Sequence, residues 1–295
     1  MEENKKGRLP EWLKLTSRLN QDDTHQNIRR LVKESNLNTI CISGNCPNIG
    51  ECWSAGTATF MILGNICTRA CKFCGVPTGR PLPPDPGEPG RIADSIQKMG
   101  VKHAVITSVD RDDLPDRGAG FWAQTILAIR KVNPLVTMET LIPDFDGNME
   151  WIRQVVDAAP EVISHNLETV RRLTPGIRTK ARYDTSLSVI SQVSGAGIIS
   201  KSGIMLGLGE TEDEILETMD DLLKAGCQVM TIGQYLQPSR DHLPVHEWVR
   251  PEQYRHYEEI GLQKGFRFIE SRPLVRSSYH AEKHIKLKDD TRNIL

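Results

Sequence analysis

The stretch FMILGNICTRACKFC, residues 60–74, places three cysteines directly after a short apolar run. Phe60–Leu63 has the apolar, β-rich composition of a buried strand. Cys67, Cys71 and Cys74 follow it with the spacing C-x₃-C-x₂-C. In α/β barrels the loops that follow the strands carry the chemistry. This stretch therefore predicts the first strand of such a fold together with its reactive loop.

From this strand onward, short apolar runs alternate with helical patterns, which is typical of consecutive βα units and a parallel sheet. The predicted strands are Phe60–Leu63, Ala104–Thr107, Val136–Leu141, Val162–Ser164, Ile204–Leu208 and Val229–Tyr235. The predicted helices are Ile92–Lys98, Phe121–Val132, Asn148–Ala158, Ser186–Ser194, Glu212–Ala225 and Pro251–Lys264. Six right-handed units of this kind predict a partial (β/α)6 TIM-like barrel, with a doubly wound open sheet as the alternative.

The segments outside these units differ from them in composition. We predict an N-terminal extension over residues 1–58, a barrel over residues 59–270 and a C-terminal extension over residues 271–295. Thr78–Gly90 contains five prolines and predicts a loop. In the C-terminal extension, His280 and His284 lie four residues apart without a third ligand nearby in the sequence, so we expect both at the surface.

Composition and charge exclude several classes of protein. The chain has 295 residues, and 37 Lys and Arg against 38 Asp and Glu give a net charge of −1. This balance gives no indication of disorder or of a surface that coats nucleic acid. No apolar run approaches the roughly 18 residues that cross a bilayer, and the first residues do not resemble a signal peptide. We therefore expect a cytoplasmic protein with neither a membrane nor a nucleic acid as partner.

The seven cysteines point to metal chemistry, because six of them lie between residues 41 and 74. Three thiolates within eight residues can ligate three irons of a [4Fe-4S] cluster and leave the fourth iron open to another ligand. Structural zinc is the alternative, but such sites are closed by four protein ligands. An earlier triplet, Cys41-x₄-Cys46-x₅-Cys52, has a different spacing. Since an apolar strand separates the triplets, two metal centres are expected rather than one mixed site.

These motifs carry a resemblance to known families. The C-x₃-C-x₂-C spacing after the first strand, with Phe73 before its last cysteine, closely resembles the radical S-adenosylmethionine (SAM) superfamily. The earlier triplet, the run Gly64-Asn-Ile-Cys-Thr-Arg69 and the C-terminal Arg276-Ser-Ser-Tyr279 are together similar to the lipoyl synthase family. The likeness extends from about Leu37 to Tyr279.

The resemblance implies a sulfurtransferase that inserts two sulfur atoms, at carbons 6 and 8, into an octanoyl group carried on a lysine of a lipoyl carrier domain. It implies SAM and two [4Fe-4S] clusters as cofactors, the second, auxiliary cluster being consumed as the sulfur donor. Cys67, Cys71 and Cys74 would hold the SAM-binding cluster, and Cys41, Cys46, Cys52 and Ser278 the auxiliary cluster, with Ser277 as the neighbouring alternative for the serine. An unactivated alkyl C–H bond offers no acidity to a side-chain base, which agrees with a radical cofactor.

The resemblance also implies contacts with SAM and several partners. The residues matched to SAM contacts are Phe73, Thr107, Ser108, Asn166, Glu168, Arg182 and Gly207. The amide of Asn166 and the carboxylate of Glu168 suit ribose hydroxyls, and the fork of Arg182 suits the SAM carboxylate. The structural alternatives are strand-end hydrogen bonding for Thr107 and Ser108, helix capping for Asn166 and Glu168, and a solvated side chain for Arg182. Implied partners are octanoylated E2 subunits of 2-oxoacid dehydrogenases, the glycine cleavage H protein, reduced ferredoxin or flavodoxin, and an iron-sulfur cluster carrier for repair.

Two other functions remain open at this point. One is another radical SAM sulfur-inserting enzyme, similar to biotin synthase or to a methylthiotransferase. The other is a non-enzymatic iron-sulfur carrier whose functional segment is residues 41–74.

Overall fold

A computed structural model describes residues 9–14, 23–44, 46–54 and 59–286. Over these ranges the chain forms one eight-stranded sheet whose strands lie side by side in chain order. The first strand pairs antiparallel with the second, and all the later pairs are parallel. Within the described residues the first and last strands do not pair, so the sheet curls into an open, partial TIM-like barrel. The predicted fold class is confirmed.

The elements run as follows. The strands are β1 (Asn38–Thr39), β2 (Thr59–Ile62), β3 (His103–Ser108), β4 (Thr137–Leu141), β5 (Val162–Ser164), β6 (Ile199–Leu206), β7 (Val229–Gln234) and β8 (Phe268–Ser271). The helices are α1 (Asp23–Glu34), α2 (Ile40–Ser43), α3 (Ile49–Ser54), α4 (Glu88–Met99), α5 (Ala119–Val132), α6 (Met149–Asp157), α7 (Thr174–Ile177), α8 (Tyr183–Gly195), α9 (Glu212–Lys224) and α10 (Pro251–Lys264). Short 3-10 turns cover Glu11–Leu13, Phe145–Gly147 and Ala281–Lys286.

All six predicted βα units are present, from β2 with α4 to β7 with α10. Both ends of α9 have residues that suit a helix terminus. Thr211 and Glu214 form a reciprocal capping box, which satisfies backbone N–H groups that the first helical turn leaves free. Gly226, just past the end of α9, has a φ of +82°, a conformation that glycine adopts without a steric penalty.

The largest differences from the prediction have identifiable reasons. Strand β6 begins at Ile199 rather than Ile204, because the intervening residues 200–202 are polar yet fully buried. Helix α4 begins inside the predicted proline-rich loop, since its proline occupies the first helical turn, where a missing N–H costs nothing. Two strands were not predicted: β1 has only two residues, and β8 ends in the buried polar pair Glu270 and Ser271.

Strand residues alternate between the helices and the interior of the barrel, which we call the lumen. Ile106, Ile204 and Ile232 belong to the apolar cores beneath the helices. Their neighbours Thr107, Gly203 and Thr231 line the cavity inside the barrel. The lumen is therefore the polar side of the sheet and the place where a site can form.

The segment after β8 runs back along the open side of the barrel. The backbone N–H of Gln234 donates to the carbonyl of Pro273 at 3.1 Å. A Cβ at Gly233 would lie 2.2 Å from the carbonyl oxygen of Val275, so a glycine is needed for this approach. The chain then turns and enters the 3-10 turn Ala281–Lys286, where His284 is completely buried. The expected surface position of His284 is therefore wrong.

Among the described helices, none combines the length and the apolar character that a bilayer crossing requires. The division at residues 58 and 270 stays a prediction.

Candidate active site and cysteine triplets

A cavity of about 280 Å³ opens at the carboxyl ends of the barrel strands. Its wall includes all three cysteines of the first loop, Cys67, Cys71 and Cys74. The rest of its lining mixes apolar side chains such as Met61 and Leu141 with polar ones. A concave, partly apolar cavity with a few convergent polar groups has the usual character of a ligand site.

Backbone N–H groups surround the sulfur of Cys67. Sγ accepts from the N–H of Arg69 at 3.4 Å and from the N–H of Asp110 at 3.3 Å. Hydrogen bonds to cysteine sulfur are one of the means by which proteins tune iron-sulfur clusters. The donor set and its surroundings therefore fit a cluster at this loop.

Arg69 fastens the same loop to the barrel. Its guanidinium makes paired bonds of 2.8 and 2.9 Å to Asp112, which follows β3, and of 2.8 and 2.9 Å to Asp144, which follows β4. Burial would raise the pKa of Asp112, but hydrogen bonds from Arg69 and Lys180 hold it at about 2. One buried arginine thus connects the cysteine loop with the ends of two strands.

The thiols of this loop lie in a desolvated environment. Burial raises the pKa of Cys67 to about 11 and that of Cys74 to about 12. Burial likewise raises the pKa of Asp110 to about 6. The thiols are thus neutral in the protein alone, and a bound metal centre would have to displace their protons.

The other triplet is built on short helices beside β2. Cys41 lies in α2, Cys52 in α3, and Cys46 in the turn between them. Burial raises the pKa of Cys52 to about 12, and the nearby thiols of Cys46 and Cys41 raise it further. The three thiols therefore lie near enough to influence one another's ionisation.

The C-terminal motif lies against this second triplet. The side-chain amide of Asn48 donates to the carbonyl of Leu274 at 2.8 Å, and the hydroxyl of Tyr279 donates to Glu51 at 3.1 Å. The Arg276 guanidinium acts to lower the pKa of Cys46, although burial leaves that pKa raised overall. Residues more than two hundred positions apart thus meet beside the second triplet, and Ser277 also lines the main cavity.

Five of the seven residues matched to SAM contacts line the cavity. They are Phe73, Thr107, Ser108, Asn166 and Glu168. Arg182 instead is exposed at the start of α8. Gly207 instead packs against the end of β7. A Cβ added at Gly207 would lie 2.1 Å from Nε2 of Gln234. The structure therefore places Arg182 and Gly207 outside the cavity.

The cavity contains an arginine and a glycine that the sequence analysis did not select. Arg178 is buried and donates to the carbonyls of Asn166 and Leu167 and to the hydroxyl of Ser186, at 3.1 to 3.3 Å. Gly203 takes the place in the lining that was expected for Gly207. Arg178 and Arg182 both follow α7 in the sequence. Which of the two side chains reaches the cavity depends on the conformation of the turn after α7, which the sequence pattern does not reveal.

A neutral histidine supports Arg178. His165 is buried, and burial lowers its pKa to about 4. Its Nδ1 donates to the carbonyl of Ile142 at 2.9 Å, which leaves Nε2 as an acceptor for the hydroxyl of Ser186, also at 2.9 Å. Ser186 in turn accepts from Arg178, so a chain of hydrogen bonds fixes the guanidinium at the cavity wall.

Comparison with known proteins connects this geometry to a family. The model of the Radical SAM superfamily matches residues 61–222. A lipoyl synthase from Parabacteroides distasonis is 59% identical over 94% of this chain and 98% of its own length. A lipoyl synthase from Treponema denticola is 60% identical over 94% of this chain and 95% of its own length. The chain belongs to the lipoyl synthase family. A third lipoyl synthase, from Bacteroides fragilis, is 57% identical over 98% of this chain.

Solved structures agree with the fold. Methylornithine synthase covers 94% of this chain with a TM-score of 0.54 at 9% identity. Streptococcus suis SuiB bound to its precursor peptide SuiA covers 83% of this chain with a TM-score of 0.59 at 12% identity. At such low identity these neighbours support only the barrel architecture.

Membership in the lipoyl synthase family decides between the functions that the sequence left open. The chain is a radical SAM sulfurtransferase with lipoyl synthase function, which displaces the biotin synthase-like, methylthiotransferase and carrier alternatives. The family implies an iron-sulfur cluster and SAM as cofactors. The cavity has the cysteines and the polar wall that these groups require.

The role of Arg69 can be tested with Arg69→Lys. A lysine keeps the charge but cannot bridge Asp112 and Asp144, so a carboxylate is left buried without its partner, at a cost of about 3 kcal/mol. We expect a lower thermal midpoint in the cluster-free chain and less iron bound after reconstitution. Lys180→Met is the matched control: Lys180 contacts Asp112 at 2.9 Å but is largely exposed, so its removal should cost less than about 1 kcal/mol. Equal losses from the two substitutions would contradict this assignment.

Proposed function

We propose that this chain inserts two sulfur atoms into an octanoyl group on a lipoyl carrier domain, using one [4Fe-4S] cluster in each cysteine triplet. The observation that carries the proposal is that the C-terminal segment connects the cavity with the second triplet. The first triplet lines the cavity directly. Asn48, between cysteines of the second triplet, bonds to Leu274, and Glu51, next to Cys52, bonds to Tyr279. Ser277, which lies between these two contacts in the sequence, lines the cavity.

The first triplet, Cys67, Cys71 and Cys74, would hold the cluster that binds SAM. When bound, the cluster and SAM supply the one-electron chemistry that breaks an unactivated alkyl C–H bond. The chain's own contribution is to orient the reacting groups and to exclude water. The apolar wall formed by Met61, Leu141 and other side chains suits an alkyl chain and keeps water from the reacting carbon.

SAM would be held by polar groups on several strand ends. Arg178, which lines the cavity, would pair with the carboxylate of SAM in place of Arg182. Asn166 and Glu168 have the amide and carboxylate that suit ribose hydroxyls, and Thr107 and Ser108 would face the methionyl end.

The second triplet, Cys41, Cys46 and Cys52, would hold the auxiliary cluster with Ser278 as an oxygen ligand. A serine oxygen is a harder ligand than a thiolate, so the iron it holds is the one most readily released when the cluster gives up sulfur. Ser277 is the neighbouring alternative, but its carbonyl is engaged by Lys201, which restrains its backbone.

The proposed substrates are octanoylated E2 subunits of 2-oxoacid dehydrogenases and the glycine cleavage H protein. Reduced ferredoxin or flavodoxin would supply electrons, and a cluster carrier would rebuild the auxiliary cluster. The cytoplasmic location expected from the composition stays a prediction.

Mass spectrometry of an octanoyl-lysine peptide tests the reaction. We expect the product of chain reconstituted with heavy sulfide to gain two labelled sulfur atoms, and each chain to make about one lipoyl group before it stops, because its own cluster is the donor. A parallel reaction without SAM should give no product. Unlabelled product, or many turnovers without a cluster carrier, would count against a consumed cluster.

Alanine substitutions separate the two triplets. Ala at Cys67, Cys71 or Cys74 should abolish formation of 5′-deoxyadenosine, because those thiols hold the iron that orients SAM. Ala at Cys41, Cys46 or Cys52 should spare SAM cleavage and abolish sulfur insertion. Cys227→Ala is the control, since this buried thiol packs against the carbonyl of Val229 away from both triplets. Equal loss of SAM cleavage from both sets in folded protein would refute the division.

The choice between the two arginines is tested by SAM binding. Arg178→Met should raise the dissociation constant of SAM by about tenfold or more, because a charged hydrogen bond is lost in a buried site. Arg182→Met, at an exposed position, should leave the constant within a factor of about two. A larger loss of SAM affinity from Arg182→Met than from Arg178→Met would assign the contact with the SAM carboxylate to Arg182.

A further inference from the structure

A group of buried charges lies in the lumen directly beneath the cavity. Glu139 precedes the cavity residue Leu141 by two positions on β4, and Lys201 precedes Gly203 by two positions on β6. Because strand side chains alternate, residues two apart share a face, so both point into the lumen one layer below the cavity. Lys201 Nζ contacts the two carboxylate oxygens of Glu139 at 2.7 and 3.0 Å.

This pair reaches the C-terminal segment at two points. Lys201 also donates to the backbone carbonyl of Ser277, in the turn that contains Ser278. His284 lies 3.3 Å from Lys201 Nζ and 3.5 Å from Glu139 Oε2, and its ring packs edge-on against Phe268. The side chains of Lys201, Glu139 and His284 are all completely buried. We call these three residues the lumen triad.

The triad is a costly way to fill a barrel. Two charges lose their hydration on burial, and replacing such a pair with apolar groups of similar size is often neutral or stabilising. What the pair can supply and apolar residues cannot is a directed bond to a particular carbonyl. Here Lys201 donates to the carbonyl of Ser277, the residue adjacent to the proposed oxygen ligand.

The remaining contacts of the turn are compatible with this role. Val275 approaches Gly233 so closely that a Cβ there would meet its carbonyl oxygen, and Tyr279 bonds to Glu51 next to Cys52. The turn is therefore held on both sides, while the triad holds it from within the barrel. Ser278 lies between Ser277, which bonds to the triad, and Tyr279, which bonds to Glu51 next to Cys52.

We propose that the lumen triad is the anchor that positions Ser278 beside the second cysteine triplet, with Lys201 as its central positioning residue. The inference rests on the proposed function, because it requires an auxiliary cluster with a serine ligand. The triad does not touch substrate or SAM in this role. It acts through the backbone of Ser277.

Iron release from the auxiliary cluster tests the anchor. The background is full-length chain carrying Cys67→Ala, Cys71→Ala and Cys74→Ala, so that only the auxiliary site binds iron. In it, Lys201→Met leaves Glu139 buried without its partner and should lower thermal stability. The double change Glu139→Leu with Lys201→Met removes both charges and should recover the fold. We expect the double variant to release iron to a chelator about tenfold faster than its parent. A change of this size corresponds to the loss of one charged hydrogen bond.

A double-mutant cycle shows whether the effect passes through Ser278. Ser278→Ala alone should also speed iron release, and adding the double change to it should produce no further increase, because groups that act through one another are not additive. The matched control is Arg130→Met with Glu161→Leu, a pair on the outer side of the barrel with a contact of 2.8 Å. It should leave iron release unchanged.

The outcomes separate the anchor from the proposed function. Iron held by the folded double variant as tightly as by its parent would overturn the anchor, and so would an additive effect on top of Ser278→Ala. Failure of the parent to bind any auxiliary cluster would instead overturn the proposed function. With Cys67, Cys71 and Cys74 intact, the double variant should still form 5′-deoxyadenosine but make less lipoyl product.

Discussion

Parallel strands in chain order bring every strand-following loop to the same end of the barrel, and each part of the site depends on this constraint. The loop after β2 supplies Cys67, Cys71 and Cys74. The loops after β3 and β4 supply Asp112 and Asp144, which hold Arg69 and with it the cysteine loop. Loops that are far apart in the sequence thus become neighbours because their strands end at one edge.

The barrel is open, and the C-terminal segment uses the open side to reach the second triplet. Within the described residues β1 and β8 do not pair, so the lumen has an unsealed side. The segment after β8 covers that side and meets the turn of the second triplet through Asn48 and Tyr279. One segment therefore lines the cavity through Ser277 and contacts the neighbourhood of the second triplet through Tyr279.

Buried charges recur where position matters more than stability. Arg69 faces Asp112 and Asp144 at the top of the barrel, and Lys201 faces Glu139 in the lumen. Apolar packing could fill both places at lower cost in desolvation. Charged pairs instead give directed bonds with defined distances, and in both places the bonds end on a segment that carries a proposed cluster ligand. Such directed bonds are what the proposed alignment of two metal centres would require.

The sequence alone determined the βα order and the positions of the two triplets, because strand composition and cysteine spacing are local properties of the chain. It predicted the buried strand before Cys67, which depends only on neighbouring residues. Only the tertiary structure decided that Arg178 rather than Arg182 reaches the cavity, that β6 begins in a polar run and that His284 is buried. Each of these depends on partners distant in sequence: Lys201 is buried only because Glu139, on another strand, neutralises its charge, and no local pattern records that pairing.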